Sequence, residues 1–417
     1  MTLSLYCSIC ADQAPCRITD EGPLCRACAE YEEAQGEELM IPEGIDVRRW
    51  EDLYPYQKEG VRWLSDHTVG ILGDQMGLGK TVQALVAHPL GRGLNVVCPA
   101  SIKNVWAKEA AAWRDDLDVS ILSGRGSWRW AEPDEIVITN YEILPSASEC
   151  KLPPAGISLV ADEAHYTKSP RSQRTRKFRV LSRLVEEKAG RVWLATGTPL
   201  LNRPDELWSI LAGIRSNKKV FESWRNFAKL FGWFDGAWGQ VDPRVPEMLR
   251  TIMLARRRHE VLPDLPVKTY REIELTFLPL AVRKACDDVV TEMQEAGVDP
   301  VKIDVDDPDA LAAFEEATFA SHLSTARKLL ASAKIDLAEE IASQYEEEEE
   351  PLIVFSAHRD PVEALGEREG WAKIYGDTPI AKRGQIVDDF QEGKLRGIAL
   401  TIQAGGLGLT LTRAATA

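Results

Sequence analysis

GDQMGLGKT, residues 73–81, decides how this chain folds. The apolar run VGIL (69–72) precedes it and the helix-forming run VQALVA (82–87) follows, so the glycines fall between a buried strand and a helix N-terminus. A phosphate-cradling loop needs that placement. Backbone N–H groups and the positive end of the helix dipole gather around an anion, Lys80 reaches the outer phosphates, and Thr81 can ligate magnesium. Asp74, Gly77 and Gly79 complete the expected nucleotide-binding loop, with one departure. Asp74 stands where the usual pattern has its first glycine, and Gly73 comes one place early. A chance glycine-rich turn would explain the loop alone, but not the strand and helix around it.

A chain of 417 residues with 44% hydrophobic residues has material for two or three ordinary cores. No apolar run approaches the length of a membrane span, and the start MTLSLYCSIC lacks a basic segment followed by a long apolar core. A cytoplasmic protein is expected, nuclear in a eukaryote, with no membrane partner. Its eight cysteines then read as thiols or metal ligands. The net charge of −15 speaks mildly against general nucleic-acid binding, yet local potential matters more than the sum. Lys168, Arg171, Arg174, Arg176, Lys177, Arg179 and Arg183 follow one another with no acid between them, and Arg256, Arg257 and Arg258 form a second cluster. Solvated helix faces account for such clusters as readily as a polyanion does. Glu346 to Glu350 reads as a wet linker.

Cys7, Cys10, Cys25 and Cys28 form two C-x-x-C pairs within residues 1–35, the spacing of a zinc ribbon in which Zn2+ replaces a missing core. Cys16 is a surplus thiol that could substitute for one ligand. Such a module could touch DNA or a protein partner. Over 45–215, short apolar strands (69–72, 95–98, 136–139, 159–161, 192–195) alternate with helices, which predicts an α/β fold with a parallel sheet. Ile102, Val105, Trp106 and Trp113 share one helical face and read as core. A mostly helical stretch is expected over 216–345, broken by the turn-rich 233–246 and the acidic 299–309. A second α/β pattern occupies 350–417, with strands near 352–355, 374–375 and 398–402.

VADEAH (160–165) ends an apolar strand with Asp162 and Glu163. Downstream of a phosphate loop, one carboxylate can hold magnesium and the next can orient an attacking water.

Eight blocks now stand in order: YPYQKEGVRWL (54–64), GDQMGLGKT, VVCPASIKNVW (96–106), TNYEIL (139–144), VADEAH, LATGTPLLNRPDELW (194–208), LIVFSAH (352–358) and LTIQAGGLGLTLT (400–412). RRRHEVLPDLP (256–266) and YGDTPIAKRGQIVDDFQ (375–391) support them. With these blocks the chain resembles the Swi/Snf-like branch of superfamily-two DNA translocases, and NVWAKE with GTPLLNRPDELW is most similar to its annealing-helicase subgroup. The resemblance implies two RecA-like lobes, the second incomplete, with a helical insert between them. It implies ATP as the nucleotide, with Gln57 on the adenine edge, Lys80 and Thr81 on phosphates and magnesium, Asp162 on the metal, and Glu163 as the base. His165, bridging toward the 196–199 turn, and Thr196 and Thr198 would couple hydrolysis to lobe movement. Ser101, Lys103 and Asn140 would line the DNA track in the first lobe, and Ser356, Thr410 and Thr412 in the second.

The function so implied is ATP-dependent translocation on double-stranded or branched DNA during repair, replication or recombination. The family's final block, whose arginines reach the ATP phosphates, is not within residues 1–417. An incomplete chain is the favoured expectation, with a second chain supplying the block as an alternative. A non-hydrolysing, ATP-gated DNA-binding module is another, and a strand-separating helicase on DNA or RNA is the rival within the same fold.

Overall fold

The computed structural model describes residues 5–6, 13–14, 16–19, 22–25, 41–46, 48–197, 203–234, 237–265, 268–275, 277–295, 320–405, 409 and 411–416. The chain divides into two compact units, Met1–Val267 and Lys268–Ala417, so the helical stretch expected over 216–345 is shared between them.

Near the N-terminus, β1 (Leu5–Tyr6) pairs antiparallel with β2 (Gln13–Ala14), and β3 (Cys16–Thr19) pairs antiparallel with β4 (Gly22–Cys25). Cys16 stands opposite Cys25 in that register. Cys7, Cys10 and Cys28 lie outside the described residues.

The first unit is built on seven parallel strands: β5 (Val69–Leu72), β6 (Leu94–Cys98), β7 (Asp118–Ile121), β8 (Glu135–Asn140), β9 (Ser158–Asp162), β10 (Arg191–Ala195) and β11 (Met253–Leu254). Their order across the sheet is β11-β5-β10-β9-β6-β8-β7. Successive side chains of a strand point to opposite faces, and the core obeys that rule. Ile71, Val97, Leu159, Ala161, Val192 and Leu194 pack into one core with Phe178, Leu181 and Val185 of the helix Gln173–Glu187 and with Leu207, Ile210 and Leu211 of Pro204–Gly213. Leu72, Val96, Val160 and Trp193 pack into the other, with Val61 and Leu64 of the helix Pro55–Asp66, the helix Lys80–Ala87, and Trp106 and Ala110 of Lys103–Trp113. Strands buried on both faces read as unbroken apolar runs, which is why they were legible. The sequence reading missed β7 and β11. Residues 118–121 are largely exposed and lack an apolar run, and β11 is only two residues long.

The second unit carries a parallel sheet of order β12-β14-β13, from β12 (Leu352–Ser356), β13 (Trp371–Ile374) and β14 (Gly397–Thr401). Ile398 and Leu400 face one core with Ile353, Ile374 and Phe390, while Ala399 faces another with Leu352, Val362, Leu365 and Trp371. The third strand starts at Trp371, earlier than the Ile374–Tyr375 pair suggested, and Ile402 already begins the helix Ile402–Gly405. Among the described residues no helix is long and apolar enough to cross a membrane.

Candidate nucleotide site

Three neighbouring strands deliver the site. Parallel register sets Leu72 of β5 beside Ala195 of β10, and Ala195 beside Asp162 of β9, so their C-terminal ends share one row across the sheet. Ligands of open parallel sheets bind beyond those ends. The loop leaves β5 there, Asp162 and Glu163 close β9, and Thr196 and Gly197 follow β10.

The loop is wound by glycines. Gly77 and Gly79 take φ of +89° and +71°, conformations that a side chain strains, and Gly79 precedes the helix Lys80–Ala87. Space as well as φ excludes a side chain at Gly79, since a Cβ there would fall 2.4 Å from Gln57 Nε2. Gln57 accepts from Tyr54 N–H at 3.1 Å through Oε1, and its Nε2 is a long 3.5 Å from Leu78 O, so the amide is pinned beside the loop with donor capacity left. Lys80 Nζ donates to the carbonyls of Asp74 (2.8 Å) and Gln75 (3.3 Å). Burial lowers the Lys80 pKa, and the charges of Asp162, Glu163 and Asp74 oppose that shift. A cation is thus held at the loop mouth with the acids of β9 in its field.

The departure at Asp74 has a structural reason. Its carboxylate is fully buried and takes a fork from Arg256: Nη2 to Oδ2 at 2.6 Å, Nε to Oδ1 at 3.0 Å, and the backbone N–H to Oδ1 at 3.1 Å. Gln83 Nε2 donates to the same carboxylate at 3.2 Å, and its Oε1 accepts from Arg256 Nη2 at 2.9 Å. Arg256 Nη1 also reaches Glu59 at 2.8 Å and donates a short hydrogen bond to Tyr56 O. Burial acts to lower the Arg256 pKa, but Asp74 and Glu59 outweigh it and leave the group raised. Gly60 makes room, because a Cβ there would fall 1.7 Å from Gln83 Oε1 and 2.9 Å from Arg256 Nη2. Backbone bonds extend the pairing of β11 into the loop: Gly73 N–H to Leu254 O (2.6 Å) and Gln75 N–H to Arg256 O (2.9 Å). The side chain of Asp74 therefore braces the loop, and its carbonyl takes Lys80. Arg256 belongs to no surface cluster, and neither basic-patch reading of it holds.

At the end of β9 the two acids differ. Asp162 Oδ2 accepts from Trp106 Nε1 at 2.7 Å and Oδ1 from Glu163 N–H at 2.8 Å. Burial pushes its pKa up to about 6, with the indole bond pulling down and the Glu163 charge pushing up. Among the described residues no cation lies within ion-pair distance of it, though the Lys80 charge acts on it. Glu163 takes φ +50°, a strained position for a residue with a side chain, of the kind found at functional sites. His165 Nδ1 lies 3.2 Å from Glu163 Oε2, an ion-pair distance without the alignment of a hydrogen bond, and both atoms are buried without a hydrogen-bond partner. A carboxylate oxygen left without a donor beside a desolvated lysine suits a hard cation and its waters. Lys80, Thr81, Asp162 and Glu163 therefore fit a magnesium-bound nucleoside triphosphate.

The remaining expected residues are placed as follows. Thr196 is buried, with its N–H on Leu72 O at 3.1 Å, and Gly197 packs on Met76 and Lys80. Thr198 and the rest of the 196–199 turn that His165 was expected to reach lie outside the described residues, as does Thr410. Lys103 Nζ donates to Leu122 O (2.9 Å) and lies 3.4 Å from Asn140 Oδ1, near Ser101 in sequence, so the first-lobe DNA residues gather past β6 and β8. Ser356 Oγ accepts from His358 N–H at 3.1 Å, and Thr412 Oγ1 from Gln391 Nε2 at 2.8 Å. The basic run after β9 is partly taken up by the fold, and Arg183 stays exposed in its pair. Lys168 pairs with Glu206 and Arg183 with Glu187, Lys177 caps Leu144 O, and Arg179 reaches Ser209. Arg171, Arg174 and Arg176 stay exposed.

Trp106, Gln83, Gly60 and Arg256 were not foreseen as parts of the site. A buried indole N–H needs an acceptor, so a tryptophan on the helix facing β9 was the available signal for the first. Among the described residues only Asp46, Asp115 and Asp116 bring three candidate metal-ligand atoms within 4.8 Å of one another, and Arg48 and Arg114 already engage those oxygens.

The sequence matches the SNF2-related domain over residues 56–281 and the Helicase conserved C-terminal domain over 333–417. The DNA annealing helicase and endonuclease ZRANB3 of Bos taurus is 28% identical over 391 residues, covering 87% of this chain and 35% of that protein. The SWI/SNF-related matrix-associated actin-dependent regulator of chromatin subfamily A-like protein 1 homolog of Caenorhabditis elegans is 28% identical over 396 residues, 89% of this chain and 54% of that one. The chain thus spans only part of the length of the relatives it matches. The Sulfolobus solfataricus SWI2/SNF2 ATPase core in complex with dsDNA aligns at TM-score 0.45 and 20% identity, covering 87% of this chain and 80% of that chain.

Proposed function

Because this chain belongs to the SNF2-related domain family, we propose that it is the motor part of an ATP-dependent translocase on double-stranded DNA, of remodelling or annealing-helicase type. The observation that carries the reading is that Lys80, past the end of β5, lies in the field of Asp162 and of Glu163 at the end of β9, two strands away, where Glu163 Oε2 is buried without a hydrogen-bond donor. Gln57 would face the base, Lys80 the outer phosphates, and Thr81 and Asp162 the magnesium. That metal would neutralise charge developing on the phosphates. Glu163 would take the proton of the attacking water, with His165 Nδ1 3.2 Å from its Oε2. Asp162, with the indole of Trp106 on one oxygen, presents the other side of its carboxylate in a fixed direction.

DNA would be held without regard to sequence, through Ser101, Lys103 and Asn140 in the first unit and Ser356, Thr410 and Thr412 in the second, joined by the exposed Arg171, Arg174 and Arg176. His165, Thr196 and Thr198 would pass the state of the nucleotide to those contacts, and motion would follow from different DNA affinities in the two states. The paired cysteines at 7, 10, 25 and 28 would hold zinc as an adaptor for DNA or a protein partner, which the metal content of the purified chain would test. Intact duplex should stimulate ATP turnover more than single strands do. Stimulation confined to single strands would instead favour a strand-separating helicase.

A further inference from the structure

The aromatic knob between the helix Pro204–Gly213 and β11 serves no purpose in the site above. The helix Trp224–Leu230 and the turn after it stack ring on ring: Trp224 on Phe227 at 5.4 Å, Phe227 on Phe231 at 4.4 Å, and Trp233 on Trp238 at 4.6 Å between centroids. Phe221, Phe227 and Phe231 are buried and would suffice as a core. The rings at the rim are not buried. Phe234 is 82% exposed, Trp224 44% and Trp233 39%. They line one open cavity of about 800 Å³ together with Arg225, Asn226, Lys229 and a single acid, Glu222.

Charge narrows the occupant. Residues 215–235 contain Arg215, Lys218, Lys219, Arg225 and Lys229 against Glu222 and Asp235, in a chain whose net charge is −15, and Arg215 and Lys219 lie against Glu186 and Glu187, so Arg225 and Lys229 are the cations the knob itself offers. No described carboxylate forms an ion pair with Arg225 or Lys229. Asp242, whose charge Lys229 shares a field with, is already held by both arms of Arg244 at 2.9 Å. Rigid flat rings with unpaired cations between them match a polyanion that carries its own flat faces. Bases of an intact duplex keep their faces stacked on each other, whereas an unpaired strand offers them. Stacking on aromatics is indifferent to base identity, and guanidinium and ammonium groups track the phosphates.

We propose that this knob binds single-stranded DNA, stacking unpaired bases on Trp224, Trp233 and Phe234 while Arg225 and Lys229 take the backbone. The proposal rests on the reading of this chain as a DNA motor and adds a second, strand-selective contact to it. The test is fluorescence anisotropy of the full chain with a labelled oligothymidylate and with a blunt duplex. The parent should bind the oligothymidylate, and Phe234→Ala, whose side chain supports no packing, should weaken that binding about tenfold per stacked base lost. Arg225→Glu with Lys229→Glu should weaken it further and flatten its salt dependence. Lys80→Ala, which removes nucleotide binding, should keep it, so failure of the motor reading and failure of this one are read separately. Unchanged affinity in Phe234→Ala and in the double charge reversal overturns the proposal. So does concentration-dependent self-association that Phe234→Ala abolishes, which would make the knob an interface between two copies.

Discussion

Asp74 and Asp162 are buried aspartates just past or at the ends of β5 and β9, two strands apart in one sheet, and they are treated in opposite ways. Asp74 is answered by a full guanidinium fork, a glutamine amide and a backbone N–H. Asp162 is answered by one indole and one backbone N–H, both neutral, and its pKa rises to about 6. A buried charge costs several kcal/mol unless it is paired, so the first arrangement closes a structure and the second leaves a debt that a cation can settle. The difference separates a brace from a site.

The largest effects should come from breaking the uncompensated side. Lys80→Ala is expected to abolish DNA-stimulated ATPase activity, and Glu163→Gln to cut turnover by about 10² to 10⁴ while ATP stays bound, the range for a lost general base. Both variants should melt near the parent temperature, because neither residue braces the sheet. Steady-state turnover, nucleotide retention and a thermal melt read all three quantities, and turnover at the parent rate in either variant would sink the site assignment.

On the compensated side the expected failure is folding rather than chemistry. Arg256→Met strands the Asp74 carboxylate and should cost about 3 to 5 kcal/mol of stability, the range for one partner removed from a buried pair. Asp74→Gly, which restores the usual loop glycine, should recover much of that loss when combined with Arg256→Met. A denaturant double-mutant cycle measures the coupling, and additive losses would show that the fork contributes nothing specific.

How much of this was legible follows from what each group asks of its neighbours. The strands, the loop, and Asp162 with Glu163 announce themselves by local pattern, since unbroken apolar runs and a Gly-Lys-Thr loop need no distant partner to be recognised. Arg256 lies 182 residues from Asp74, on a segment whose strand is two residues long. No local pattern told a structural arginine from the exposed Arg257 beside it. The seven cations after β9 looked like one face for the same reason, and Glu206, Leu144 and Ser209 take up Lys168, Lys177 and Arg179 while Arg174 lies over the Tyr166 ring and Arg183 stays exposed beside Glu187. Trp106 was read rightly as core, but its single polar atom carried the functional content. Sequence periodicity reports which face is buried and says nothing of where a buried N–H points.

That indole gives a subtler way to sharpen the comparison. Trp106→Phe keeps the packing and removes the donor to Asp162 Oδ2, a hydrogen bond to a charged group worth about 1.5 to 3 kcal/mol. Its loss should push the Asp162 pKa above its present value of about 6 and weaken magnesium-dependent ATP binding about tenfold at pH 6.5, with a smaller effect at pH 8. Isothermal titration at the two pH values checks it, and an equal loss at both would mean the indole acts through shape alone.

The smallest effect is the pH dependence of the parent itself. A carboxyl whose pKa is raised in the folded chain binds more protons folded than unfolded between about 3.8 and 6, so this group's contribution to stability falls as pH rises through that window. His88 works the other way. Burial first, and then Arg114, hold it near 3, so it stays neutral in the fold and stability rises with pH toward its unfolded value of 6.5. Opposite slopes over overlapping windows make a thermal melt a poor reporter of Asp162. Magnesium linkage separates it from His88, which hydrogen-bonds Ser158 and Arg92 inside the core, and subtracting the profile of Asp162→Asn removes the titration of the ATP phosphate itself, at about pH 6. Apparent magnesium affinity for the ATP complex should therefore be level above about pH 7 and fall about tenfold per unit below pH 6. A flat profile down to pH 5 would place the metal on other ligands, and Asp162 would join Asp74 as a brace.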